Sequence, residues 1–513
     1  MLREQLGPAT PSERVELERV ELPEPRPLPE AIASIVGERH VLTGHEERVQ
    51  RAAGRSYPDL IRLRRGRPEH AFDAIVAPAD AGEVTMLLEA CSANGIAVVP
   101  YGGGTSVVGG VDALAGPHGR VIALDLMRLR ELSVDRASLT ATLGPGLSGP
   151  EAERALGTAG LTLGHFPQSF EYATIGGFAA TRSAGQASAG YGRFDELVSA
   201  LAMATPAGEL RTLATPHTAA GPALRELALG SEGTLGVITE VTARVRPAPE
   251  VRRYEAWIAA DFVAGSELVR SLTQGDALPT VTRLSDEAET RVSLGLAGTS
   301  GLKRSLFDAY LRMRRREGGC LMICGWEGSG ESVRRDRARS TALLRAGGAA
   351  PLGSAPGRAW ERGRYDGPYL RDELLDLGYM VETLETSHVW SRLDQLYRAV
   401  GAAIDGALRG HGTPGIVICH LSHAYRDGAS LYFTFLASGK PGEEIEHWRA
   451  VKTAACEAIV GCGATITHHH AVGRDHAPYM RAEVGETGLG ALAALKQRLD
   501  PAGIMNPGKL LAG

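Results

Sequence analysis

The sequence predicts an α+β protein of two domains, on three observations. Its 513 residues are too many for one hydrophobic core, because single cores stop growing at roughly 250–300 residues. Short β-rich runs alternate with amphipathic helical stretches through the first half. A proline cluster at Arg246-Pro-Ala-Pro249 then separates that half from a region of different texture.

The elements follow in order. Met1 to Pro29 is charged and proline-rich, lacks the apolar run of a signal peptide or membrane span, and reads as a flexible arm. Residues 30–70 read as mainly helical, with Arg51–Tyr57 leading into the first domain. Ile75–Pro78 is a strand, and Ala81–Ser92 an amphipathic helix with Val84, Leu87, Leu88 and Cys91 on one side. Strands are expected at Ile96–Pro100, Val121–Asp125, Leu139–Leu143 and Val241–Val245, and a helix at Glu151–Ala159. Beyond residue 249 the helices Glu373–Leu377 and Leu393–Leu408 mix with β-like runs at Cys320–Cys324, Gly415–Cys419 and Ser430–Leu436, a second α+β domain. The final helix is stopped by Pro501 and then by Asn506-Pro507-Gly508. The expected division is therefore 1–54, 55–248, 249–465 and 466–513.

Charge and cysteine usage narrow the function classes. Fifty-five basic and 60 acidic residues leave a net charge of −5, interspersed along the chain, which gives no nucleic-acid signal. The basic cluster Arg312–Arg316 reads as a solvated helix face. The six cysteines have no zinc or iron–sulfur spacing and suit small core residues in a cytoplasmic setting. High Ala, Gly and Arg usage resembles that of a high-GC bacterium.

Three separated glycine-rich stretches lie within residues 100–240: Pro100-Tyr-Gly-Gly-Gly-Thr-Ser106, Gly164 to Gly177, and Gly230 to Glu240. Gly102, Gly103 and Gly104 can take positive φ, so that successive N–H groups form a concave anion cradle. Thr105 and Ser106 add hydroxyls without charge, and a diphosphate fits such a nest. A flexible strand-to-helix turn accounts for the first loop alone equally well. Neither the P-loop ending nor the acidic residue of the dinucleotide fold is present.

Taken together the stretches resemble the FAD-binding (PCMH-type) domain of the vanillyl-alcohol oxidase type, and within that group the alkylglycerone-phosphate synthases. The more specific elements are Thr181-Arg-Ser-Ala-Gly185 with Tyr191-Gly192, the pair Glu171 and Tyr172, Tyr369-Leu-Arg-Asp372 and His468-His469-His470. The resemblance implies a two-domain flavoprotein with an α+β substrate domain and a C-terminal segment that returns to the FAD domain. It maps FAD contacts to Pro100, Tyr101, Gly102, Gly103, Gly104, Thr105 and Ser106; to Gln168, Ser169, Thr174 and Gly177; to Thr181, Arg182, Ser183 and Ala184; and to Glu232, Gly233, Thr234, Gly236 and Ile238. The first loop carries no His or Cys, which favours noncovalent FAD.

Catalytic candidates lie beyond residue 249. Three consecutive histidines suggest a metal, yet neighbours on an extended strand alternate faces and no acidic residue stands at i±2, so the expectation is no metal. The resemblance implies proton handling by His468, His469 and His470, the work to which a near-neutral pKa is suited. It implies proton transfer for Tyr425, substrate binding for Arg371 and a need for Arg283 in activity. Bidentate guanidinium forks suit phosphate or carboxylate, while local ion pairs with Asp372 and Asp286 would explain both arginines structurally.

The reaction so implied has no net redox change. The acyl group of an acyl-dihydroxyacetone phosphate would be exchanged for a fatty alcohol by way of a flavin N5 adduct, giving an ether lipid precursor. Two alternatives stay open: an FAD-dependent oxidase or dehydrogenase of a 2-hydroxy acid such as D-lactate or glycolate, and a flavin-binding protein without catalysis. The partners implied are a small-molecule or lipid substrate, a second copy as homodimer, and peripheral membrane contact where the substrate is a lipid.

Overall fold

Local signals start and stop the elements of the computed structural model, which describes residues 6–11, 14–296, 301–413 and 415–511. Asp80 accepts from the Glu83 N–H at 2.9 Å to cap helix Ala81–Asn94, and Gly95 ends it at φ +58°. Its Val84, Leu87, Leu88 and Cys91 are fully buried, the face the spacing predicts. A capping box between Ser148 and Glu151 starts helix Gly149–Thr158 in the same manner.

Residues 13–184, 193–247 and 469–513 form one compact unit; residues 1–12, 185–192 and 248–468 form another. The first holds a four-stranded sheet in the order Val41–Leu42, Ala74–Val76, Arg120–Asp125, Ile96–Tyr101. The last three strands run parallel. Helix Ala81–Asn94 carries the chain between Ala74–Val76 and Ile96–Tyr101, parallel strands on either side of Arg120–Asp125, and Ile75, Val98, Val99 and Ile122 are buried as such strands demand. A five-stranded antiparallel sheet follows, in the order Leu132–Asp135, Thr140–Leu143, Val237–Arg244, Val198–Thr205, Gly208–Arg211. Its strand begins at Thr140 rather than at the expected Leu139, which is exposed and turned to φ +50°. Late in the chain, helix Met480–Leu499 leads to Met505, which bridges in parallel to Val98.

The second unit is built on a seven-stranded antiparallel sheet. Its order is Ala350–Gly353, Val251–Ala259, Cys320–Gly328, Val281–Ser285, Gly415–Ala424, Gly428–Ser438, Tyr379–Val389. The expected strand Cys320–Cys324 runs on to Gly328 because all nine of its residues pair with Val251–Ala259. Helix Trp390–Gly410 buries Leu393, Leu396, Val400, Ile404 and Leu408, an apolar stripe at helical spacing. Between Leu421 and Ala424 the register with the next strand slips by one residue, a bulge of the kind that re-aims side chains.

The flexible arm is a correction within the described residues. Leu6 is buried with Leu374, Tyr379, Val381 and Leu436, and the Ser438 hydroxyl donates to its carbonyl at 2.7 Å. In the other unit Val15 and Glu21 donate backbone N–H groups to Arg64 and Gly66. Apolar side chains spaced singly among charges give no periodic signal, yet Leu6 and Val20 are buried while Leu17 stays exposed.

Candidate active site

In the first unit the three glycine-rich loops pack onto one another. Strand Ile96–Tyr101 delivers Pro100 and the buried Tyr101 to the bend Gly102–Ser106. A side chain at Gly102 would strike Thr174 Oγ1, and one at Gly103 would overlap the Tyr172 carbonyl. Gly104, at φ +64°, lies against the Tyr101 hydroxyl, which burial pushes up to about 12. Thr105 is half-buried, and Ser106 Oγ accepts from Gly110 N at 2.9 Å.

The second loop carries half-buried Gln168 and Ser169 in a turn, the Ser169 carbonyl accepting from Tyr172 and Ala173. Thr174 caps helix Ile175–Ala180 through Gly177 N at 3.3 Å, and the Thr181 hydroxyl donates to the Gly177 carbonyl at 2.9 Å. Ala184 is buried, and Ser183 Oγ sits 3.0 Å from Nε2 of the fully buried His165. Burial pushes that imidazole down to about 3, keeping it neutral. Arg182 ties this loop to the third by donating to the Leu229 and Glu226 carbonyls at 3.0 and 2.9 Å. Backbone bonds from Gly230 N to Ala179 and from Glu232 N to Ala180, both 3.0 Å, do the same. Gly233, at φ +73°, abuts the Pro100 ring, Thr234 Oγ1 donates to the Ser231 carbonyl, and Gly236 makes room for the Ala204 carbonyl. Ile238 is buried in the strand that follows.

Three side chains of the returning segment, none of them singled out by the sequence, form a strap that pins these loops. The Asn506 side-chain amide donates to the Gly110 and Glu232 carbonyls at 3.1 and 2.7 Å. Lys496 Nζ donates to the Thr234 carbonyl at 2.7 Å, and Lys509 Nζ to that of Asp112 at 2.6 Å. Burial pushes Lys509 down to about 8. Glu232 accepts from Val472 N and Gly473 N at 2.8 and 2.7 Å. Burial pushes its carboxyl up to about 7 against the pull of those two N–H groups. The turn Asn506-Pro507-Gly508-Lys509 is the available signal in the sequence for these contacts.

These residues fit FAD. Gly103 lets the first loop meet the Tyr172 carbonyl and Gly102 leaves room for Thr174 Oγ1, while of the three glycines only Gly104 takes the positive φ expected of them all. Ser231 Oγ and Asn506 Oδ1 are buried with no hydrogen-bond partner among the described residues, and buried polar atoms are normally satisfied. Both belong to the same loop cluster and would be satisfied by a polar ligand. Cys91 is buried in its helix and Gly102–Ser106 offers no covalent ligand.

In the second unit, strand register and the bulge gather a polar cluster. The Tyr425 hydroxyl lies 2.7 Å from His468 Nε2, and the His423 ring stacks on His468 at 5.1 Å and 21°. Tyr425 is held at a hairpin by its N–H to Gly428 and by Trp390 Nε1 to its carbonyl, 2.8 and 3.0 Å. Buried Glu385 fixes the histidine backbone, accepting from the Thr467 hydroxyl at 2.6 Å and from His468 N. The expected extended histidine triplet is a correction: residues 468–470 bend, followed by Ala471 at φ +72°. His468 belongs to this unit. His469 and His470, half-buried with rings 4.8 Å apart, belong to the first.

Arg283 donates to Glu289 Oε1 at 2.6 Å and faces His420 Nε2 at 3.0 Å. Burial alone would raise the Glu289 carboxyl, but Arg283 and His420 hold it well below the usual carboxylate range. Its ion-pair partner is therefore Glu289 and not Asp286. Asp286 instead accepts from Glu289 N and Cys419 N at 2.7 and 2.9 Å, with burial pushing it up to about 7. His420 stacks on Tyr432 at 4.7 Å and 17°. Burial pushes the Tyr432 hydroxyl up to about 12, while Thr383 and the charge of Arg371 draw it back. Arg371 sits half-buried on helix Gly367–Asp376. A tyrosine–histidine pair and two guanidinium groups in one unit can move a proton and hold an anion.

Residues 248–510 match the family "FAD linked oxidases, C-terminal domain", and residues 72–214 match "FAD binding domain". The chain is 32% identical to an alkyldihydroxyacetonephosphate synthase of Trypanosoma brucei brucei, over 95% of this chain and 81% of that protein. It is 28% identical to glycolate oxidase subunit GlcD of Bacillus subtilis, over 86% and 89% respectively. A solved alkyldihydroxyacetonephosphate synthase superposes with a TM-score of 0.84 at 28% identity, covering 99% of this chain and 91% of that one.

Proposed function

Since the chain belongs to the alkyldihydroxyacetonephosphate synthase family of FAD-linked enzymes, we propose that it exchanges the acyl group of an acyl-dihydroxyacetone phosphate for a fatty alcohol. One C–O bond to the substrate's first carbon breaks, and the fatty acid leaves as carboxylate. The alcohol oxygen forms the new C–O bond and gives up its proton, so no electrons are gained or lost. Bound FAD would supply the electronic means of activating that carbon.

The observation that carries this reading is the 2.7 Å contact between the Tyr425 hydroxyl and His468 Nε2. A free tyrosine has a pKa of about 10 and needs a basic neighbour to give up its proton; His468 is that neighbour. Tyr425 takes or returns a proton at its hydroxyl, His468 receives it at Nε2, and Glu385 keeps the histidine backbone in place. His469 and His470 are proton-handling residues in the same proposal. Arg283 and Arg371 hold the phosphate and the leaving carboxylate. Residues 55–248 with the returning segment 466–513 bind FAD noncovalently through the three loops, and residues 249–465 bind substrate.

The finer attributes belong to the same proposal: a homodimer, a bacterial cytoplasmic setting, and contact with a membrane surface where the substrate is a lipid. None of the described helices is long and apolar enough to cross a membrane.

The test is anaerobic incubation of the yellow protein with palmitoyl-dihydroxyacetone phosphate and hexadecanol. Ether should form with no external electron acceptor. Tyr425→Phe should lower the rate by about 10²-fold or more, the usual size of a general acid–base contribution. Absence of ether, with bleaching of the flavin by D-lactate or glycolate, would replace this reading with the 2-hydroxy acid oxidase.

A further inference from the structure

We propose that Glu289 and His420 are positioning residues for Arg283, and that His420 works as the neutral tautomer protonated on Nδ1. The inference rests on the reading in which Arg283 holds the substrate's anionic group.

A guanidinium group has donors and no acceptor. Arg283 Nη1, 3.0 Å from His420 Nε2, therefore requires a lone pair on that nitrogen. The ring proton is then on Nδ1, which lies 3.2 Å from Glu289 Oε1 and donates to it. The same oxygen accepts from Arg283 Nη2 at 2.6 Å. Three side chains thus close a cycle that fixes both η nitrogens and, with them, the guanidinium plane. Nε–H and the remaining η hydrogens are left to meet an anion in a set direction.

Each member is held by something outside the cycle. His420 and Tyr432 are cross-strand partners in register, and their stacking fixes the imidazole plane. Asp286 caps the helix that carries Glu289 and binds Cys419 N, tying that helix to the strand of His420. Protonating His420 on Nε2 would break the Arg283 contact and set two cations 3.0 Å apart. A solely structural ion pair would need none of this directional matching.

Two substitutions separate the roles in the holoenzyme. His420→Phe keeps the stack on Tyr432 but offers Arg283 no lone pair; His420→Gln restores an acceptor oxygen. The Phe variant should raise KM for palmitoyl-dihydroxyacetone phosphate about tenfold, with kcat changed less, the size of one hydrogen bond to a charged group. The Gln variant should stay within about threefold of wild type. Nitrogen-15 histidine spectra of wild type, with the signal lost in the Gln variant taken as His420, should show a protonated Nδ1 and need no Phe variant. An unchanged KM in the Phe variant, a Gln variant as impaired as Phe, or a protonated Nε2 would overturn the proposal. Arg283→Lys in the same assay separates the readings. If Lys leaves KM unchanged, the role of Arg283 itself falls; if Lys raises KM and Phe does not, only the positioning role falls.

Discussion

Replacing Asn506 tests how the cofactor loops are held together. Its amide nitrogen donates to the carbonyls of Gly110 and Glu232, and its own N–H to that of Val98 at 2.9 Å. The residue is buried at φ +39°, a conformation that asparagine tolerates better than other side chains bearing a Cβ. Asn506→Ala deletes two hydrogen bonds worth about 1 kcal/mol each and adds about 1 kcal/mol of left-handed strain. The sum, about 3 kcal/mol, is felt wherever the loops must be assembled, and corresponds to about 10²-fold in FAD affinity. Asn506→Gly loses the bonds without the strain and should fall short of that by about fivefold. Asn506→Asp keeps size and backbone tolerance but turns a donor into a carboxylate facing two carbonyls, and should bind FAD worst. The assay is titration of apoprotein with FAD, followed by quenching of flavin fluorescence. If all three variants bind FAD within about threefold of wild type, the strap does not hold the cradle, and the hydrogen-bond arithmetic is refuted here.

Two further outcomes can be measured on the same unit. Gly103→Ala places a methyl group into the Tyr172 carbonyl, so the purified protein should lose its yellow colour while its far-ultraviolet dichroism stays close to wild type; a normally flavinated variant would show that the first two loops need not touch. Burial, with Asp112 and Asp475 nearby, pushes Asp59 up to about 7 from 3.8. The folded protein therefore holds a proton there that the unfolded chain releases, and stability falls as pH rises through that window. Asp59→Asn should raise the thermal midpoint most at about pH 8 and by clearly less at about pH 5, where only part of the window has been crossed; the same difference from wild type at both would remove Asp59 from the pH response.

What the sequence disclosed follows from which physics is local. The close approach of the first two loops was legible because it needs residues without a Cβ at Gly102 and Gly103, a demand written in adjacent positions. Helix Ala81–Asn94 was legible because its apolar spacing and its Asp80 cap are both local. Glu289 and Glu385 were not, since an acid on a helix or strand looks the same whether it faces water or a histidine. Only the pairing of Gly415–Ala424 with its two neighbours brings Arg283, His420 and Tyr432 together. The histidine triplet misled for the opposite reason: its local pattern suggested extended backbone, and the capture of His468 N by Glu385 imposed a bend instead.

The strap also has a consequence in time. Residues 496–509 supply the groups that pin loops made hundreds of residues earlier. While the ribosome is still adding the intervening residues 248–468, the three loops exist but their clasp does not. Full FAD affinity then comes late, and a chain halted before residue 496 should hold FAD at least as weakly as Asn506→Ala.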